Sequence, residues 1–88
     1  MATFIMVTKL DPVTTRSPQL LERIEKLVTK QVREQCPGVE WVASYATLGP
    51  YDYVDIFHAE GVDTALRVSA LFRAHGHVHT EVWPAAEW

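Results

Sequence analysis

The sequence predicts an α+β domain of ferredoxin-like build: a βαββαβ order, a four-stranded antiparallel sheet and two helices on one face. Three observations lead there. Two stretches carry apolar residues at helical spacing, and four short runs are rich in β-branched and aromatic types. The four glycines, Gly38, Gly49, Gly61 and Gly76, each stand alone between such segments. Finally, 88 residues suffice for one small core but not for separate catalytic and binding domains, so a single domain over residues 1–88 is expected.

The first strand runs from Thr3 to Leu10 through Phe4, Ile5, Met6 and Val7, and Asp11-Pro12 ends it. Ser17 is placed to cap the first helix, with Pro18 at its first position, where a missing N–H costs nothing. Leu20, Leu21, Ile24, Leu27, Val28 and Val32 form its apolar stripe, and it ends near Cys36 before Pro37-Gly38. Its other side carries Glu22, Arg23, Glu25, Lys26, Lys30, Arg33 and Glu34, a solvated face. The second strand spans Val39 to Leu48 and the third Tyr53 to Ala59, joined as a hairpin around Gly49, Pro50, Tyr51 and Asp52. Asp63 is expected to cap a second helix that continues to about Ala74 through Ala65, Leu66, Val68, Leu71 and Phe72, with Gly76 in the left-handed position beyond it. His77 to Trp83 is the last strand, closed by Pro84.

Composition removes several classes of function. With 48% hydrophobic and 22% charged residues the chain is neither disordered nor a disulfide scaffold. A net charge of -3 provides no cationic field for phosphates or anionic lipid, so neither nucleic acid nor a membrane surface is an expected partner. No apolar run approaches the roughly 20 residues that span a bilayer. A lone cysteine, Cys36, and an N-terminus without a leader pattern point to the cytoplasm. There is no phosphate-binding glycine loop and no CxxC pair, and none of Ser17, Ser44 and Ser69 stands in a nucleophile elbow.

Sorting the strands by alternate residues yields two sets. Ile5, Val7, Val54, Ile56, Val78 and Val82 are assigned to the helix side, and Phe4, Met6, Tyr53, Asp55, Phe57, His77, His79, Glu81 and Trp83 to the open side. Parity leaves Trp41, Ala43 and Tyr45 undecided. An open face this apolar calls for a cover: a second copy in a homodimer or larger homo-oligomer, or a small apolar or aromatic molecule lined by Phe4, Met6, Trp41, Tyr45, Phe57 and Trp83. Asp55, His79 and Glu81 in such a wall are the candidate acid–base groups of an alternative, cofactor-independent enzyme, an isomerase, cyclase, decarboxylase or monooxygenase, with Tyr45 orienting the substrate. The simpler reading has Asp55 pairing across a dimer seam without chemistry. His77, His79 and Glu81, about 6.6 Å apart in steps of two, could also face one metal ion. The preferred reading has no metal and no cofactor, the histidines bonding water, Glu81 or backbone.

The hairpin Tyr45-Ala46-Thr47-Leu48-Gly49-Pro50-Tyr51-Asp52-Tyr53-Val54 and the stretch Gly76-His77-Val78-His79-Thr80-Glu81, running on to Pro84-Ala85, resemble the GYD-domain family, with Gly49, Tyr51 and Asp52 as its signature. The resemblance implies a ferredoxin-like fold of the kind that dimerises sheet to sheet into an α/β barrel, and it implies no particular reaction. The chain differs from the family's pattern at Asp55, His58, His77 and His79, so site residues are read from its own arrangement. Gly49-Pro50-Tyr51-Asp52 reads first as a turn in which the Asp carboxylate bonds nearby backbone N–H groups. The alternative is a functional Tyr51/Asp52 pair at a pocket mouth.

Overall fold

A computed structural model describes residues 1–12 and 17–88. Its elements are β1 (Ala2–Leu10), α1 (Pro18–Gln35), β2 (Glu40–Ala46), β3 (Tyr53–Ala59), α2 (Val62–Ala74) and β4 (His77–Ala85). All strand pairs are antiparallel and the sheet order is β2-β3-β1-β4, so β1 and β3 are central and β2 and β4 are edges. This is the ferredoxin-like arrangement.

Local chemistry accounts for the element ends. The Ser17 hydroxyl accepts from the Leu20 N–H at 3.2 Å, satisfying one of the orphan donors of α1, and Pro18 occupies the first turn. The cap of α2 differs from expectation: Gly61 holds that position without a side-chain bond, and Asp63 lies in the first turn, where its charge opposes the positive helix end. Gly76 has φ 90°, the left-handed conformation that frees the chain to turn into β4. β4 continues past Trp83 through Pro84, because an edge strand can lose an N–H that points away from its neighbour. β2 is shorter than expected and ends at Ala46.

The core lies between the sheet and both helices. Phe4 and Met6 from β1 and Phe57 and Ala59 from β3 meet Val28 and Val32 of α1, Cys36 just beyond it, and Ala65, Val68 and Phe72 of α2. Phe4 and Phe57 stack with ring centroids 5.7 Å apart. Each such large side chain stabilises the fold by about 1.5–3 kcal/mol relative to exposure. Burial also pushes the Cys36 thiol up, leaving little of the reactive thiolate.

This core reverses the expected faces of β1 and β3. Phe4, Met6, Asp55 and Phe57 point to the helices, and Ile5, Val7, Val54 and Ile56 to the uncovered side. Both sets are apolar, and the longer side chains take the helix side because they must bridge roughly 10 Å between packed layers. On β4 the expectation holds for Val82, which packs on the core, and for Glu81 and Trp83, which pair with Val7 and Ile5. The side chain of Val78 lies outside the described residues.

Two register shifts decide the rest. In β4 the shift beside Lys9/Leu10 pairs His79 with Lys9 but His77 with Leu10, so His77 turns inward and is 1% exposed while His79 stays out. In β2 the shift between Trp41 and Ala43 pairs Trp41 with Phe57 but Tyr45 with Val54. Trp41 therefore belongs to the helix side and Tyr45 to the other. Among the described residues, no helix is long and apolar enough to cross a membrane.

Candidate functional site

A cleft of about 320 Å³ opens between α1 and the β2 edge of the sheet. α1 supplies Glu25 and Thr29, β2 supplies Trp41 and Ser44, β3 supplies Tyr53 and Asp55, and Phe72 of α2 closes the inner end. The Trp41 ring tilts against Phe57 at 5.2 Å and Phe72 at 6.2 Å, so the aromatic wall is anchored in the core.

The polar floor is buried. Asp55 is 9% exposed, and burial raises its carboxyl above the ordinary range; the Ser44 hydroxyl bond and His77 oppose that rise, and the Glu25 charge adds to it. His77 Nδ1 lies 2.9 Å from the Phe72 carbonyl and its Nε2 lies 2.8 Å from Glu25 Oε1. A carbonyl only accepts, so Nδ1 carries a hydrogen, and Nε2 and Glu25 hold a further proton between them. Burial, with the charges of Glu25, Asp52 and Asp55, also raises the Tyr53 phenol.

The uncovered face of the sheet carries a separate network. Glu81 Oε2 accepts from the Tyr51 hydroxyl at 2.6 Å and lies 3.0 Å from His79 Nε2, while Oε1 accepts from Trp83 Nε1 at 3.3 Å. These bonds, led by that from Tyr51, hold the Glu81 carboxyl below its usual range, and the same bond raises the Tyr51 phenol. Since Tyr51 precedes β3 and Glu81 is on β4, the bond crosses β1, and Val7 beneath it is only 3% exposed. Asp52 fastens the same loop: its carboxylate accepts from the Leu10 N–H at 2.8 Å, and its own N–H donates to the Thr8 carbonyl at 2.8 Å.

The expected site residues are thus divided by the sheet. Asp55 stands apart from His79 and Glu81, so these cannot act as one acid–base set. His77 is on the far side from His79 and Glu81, so the trio of the alternative metal reading does not converge, and no group of three or more His, Cys, Asp or Glu among the described residues could hold a metal ion. Phe4, Met6 and Phe57 are sealed in the core instead of lining an open-face pocket, Trp41 and Tyr45 border the cleft, and Trp83 stays exposed. His75 is bonded through Nδ1 to the Leu71 carbonyl at 2.7 Å, and His58 lies 3.8 Å from Glu40. Glu25 was missed as a site residue because it reads as one charge among many on a solvated helix face. Only the inward turn of His77 singles it out.

The model of the GYD domain matches residues 4–88. The chain belongs to the GYD-domain family. A relative from Thermus thermophilus, the glutamine synthetase and cystathionine beta-lyase binding protein, is 36% identical to this GYD chain over 91 residues, covering 99% of the chain and 94% of the relative. Solved structures share the fold: MtbAldR with TM-score 0.68 at 11% identity, and TTHA0845 from Thermus thermophilus with TM-score 0.62 at 18% identity. The GYD chain is covered over 99% and 100% of its length in these two matches; it spans 52% of MtbAldR and 96% of TTHA0845. Within the GYD hairpin, Tyr51 reaches across β1 to Glu81 and Asp52 bonds to β1 itself, so both fix the loop to the sheet, a long-range extension of the turn role expected of them.

Proposed function

We propose that this GYD protein is a homo-oligomeric binding protein: two copies close their uncovered sheet faces on each other, and the unit presents its helical side to another protein. The observation that carries this reading is the uncovered face, where Ile5, Val54 and Ile56 lie partly exposed beside Tyr45 and Trp83 with no helix over them. Four strands about 4.8 Å apart and roughly seven residues long outline about 19 by 23 Å of sheet. Two such faces approach the ~1,000 Å² expected of a specific interface, and flanking side chains such as Trp83, 44% exposed, add to it. Two pairs of charged groups on the face are already matched, His79 to Glu81 and His58 to Glu40, while Lys9 on the same face is exposed. The relative named for binding glutamine synthetase and cystathionine beta-lyase supports a protein partner, a metabolic enzyme being the first choice. A reducing compartment such as the cytoplasm suits the unpaired, buried Cys36.

Sedimentation velocity at micromolar concentration tests the assembly. A dimer or larger species is expected, with Ile56→Glu shifting it to monomer while far-ultraviolet circular dichroism is retained; a monomeric parent overturns the proposal. Surface plasmon resonance against glutamine synthetase and cystathionine beta-lyase from the same source tests the partner. Binding to at least one is expected, and binding to neither removes that part of the reading.

A further inference from the structure

The cleft beside α1 has a composition that selects one kind of occupant. Its walls are Trp41, Phe72 and Tyr53, and its buried charge is Asp55. None of the described residues lining it is Lys or Arg. His77, the imidazole behind it, is committed to Glu25 and to the Phe72 carbonyl, and Glu25 is in turn occupied by His77. Asp55 is left facing the cleft with Ser44 as its partner there, although a carboxylate has about four acceptor positions. A buried carboxylate so sparsely paired opposes folding, whereas a cation drawn up to it would gain a charge-assisted bond in a poorly hydrated site. The aromatic rings favour the same sign of charge through their π faces. About 320 Å³ is at the low end of pockets that hold small molecules.

We infer that this cleft binds a small organic cation, an amine on an aromatic or apolar group and without a carboxylate, its ammonium at Asp55 and its apolar part against Trp41 and Phe72. An anion would meet Asp55 and Glu25 with like charge. A neutral hydrocarbon would bury Asp55 further and leave it unpaired. The floor of the site is on the helix side of the sheet, so two sheet faces can close without covering Asp55, and Tyr45 borders both surfaces.

Titration of the full chain with benzylammonium, phenethylammonium, benzyl alcohol and benzoate, followed by calorimetry and by the amide and indole shifts of Trp41, tests the inference. The two ammonium compounds are expected to bind with Kd of about 1 mM or tighter and at least about tenfold better than the alcohol or the benzoate. Asp55→Asn is expected to weaken them about tenfold and to erase the preference over benzyl alcohol. Thr29→Lys, at an exposed position on the rim, places a competing ammonium there and is expected to weaken them without touching the core. Equal binding of all four probes, no binding of either amine up to about 10 mM, or unchanged affinity in either variant overturns the inference.

Discussion

Asp52→Ala is the sharpest test of how the GYD hairpin holds the sheet. The Asp52 carboxylate accepts from the Leu10 N–H at 2.8 Å across 42 residues of sequence, in a partly buried setting. Leu10 lies at the end of β1, where the register shift leaves irregular pairing, so its N–H depends on this side chain. Removing the carboxylate deletes a bond to a charged acceptor and orphans the donor, a loss of about 2 kcal/mol. In a chain of this size that lowers Tm by roughly 8–16 °C. Asp52→Asn keeps a neutral acceptor and is expected to lose about half as much. The assay is thermal unfolding by circular dichroism at fixed protein concentration, which holds any assembly term constant. Hydrogen exchange at the Leu10 amide gives a local readout, which is expected to accelerate in Asp52→Ala. A Tm within about 2 °C of the parent, with Leu10 still protected, would refute the reasoning.

Two further outcomes follow from buried polar groups. Asp55 has a folded-state pKa above its ordinary 3.8, so the folded chain keeps a proton that the unfolded chain has released, and stability falls as pH rises through the window that opens near 3.8. Asp55→Asn removes that loss: unfolding at pH 7 is expected to show a higher Tm than the parent, with the gap closing below pH 3.8, and a lower Tm at pH 7 would count against it. The Thr8 hydroxyl is fully buried and, among the described residues, has no hydrogen-bond partner. Thr8→Val keeps the branched shape suited to a strand and is expected to add about 1 kcal/mol in urea denaturation, so a loss of similar size would show that the hydroxyl is in use.

The candidate site was only partly legible. Asp55 stood out by type, because a carboxylate is an unusual choice within a strand, and Trp41 stood out as a large aromatic available to line a pocket. Their partners did not. Glu25 is near Asp55 in space but 30 positions away in the chain, on a helix whose charge pattern reads as solvent-facing. His77 and His79 share a parity, and nothing short of the paired register shows that the shift at Lys9/Leu10 sends them to opposite faces. Ser44, which bonds Asp55, looked like an isolated hydroxyl for the same reason.

Local chemistry determined the elements: Ser17-Pro18 starts α1, Gly49-Pro50 interrupts the hairpin, Gly76 at φ 90° turns the chain into β4, and the alternation of apolar types marks the strands. Element order then determined the ferredoxin-like topology, since short connections leave few ways to pair four strands around two helices. Tertiary packing alone decided which strand face meets the helices. Period-2 alternation separates two sets of residues without ranking them, and with apolar types in both sets the choice rests on which side chains fill the space beneath α1 and α2. Packing placed Phe4, Met6 and Phe57 there, turned Ile5, Val54 and Ile56 to the uncovered side, and left Asp55 at the floor of a cleft that no short stretch of the sequence encodes.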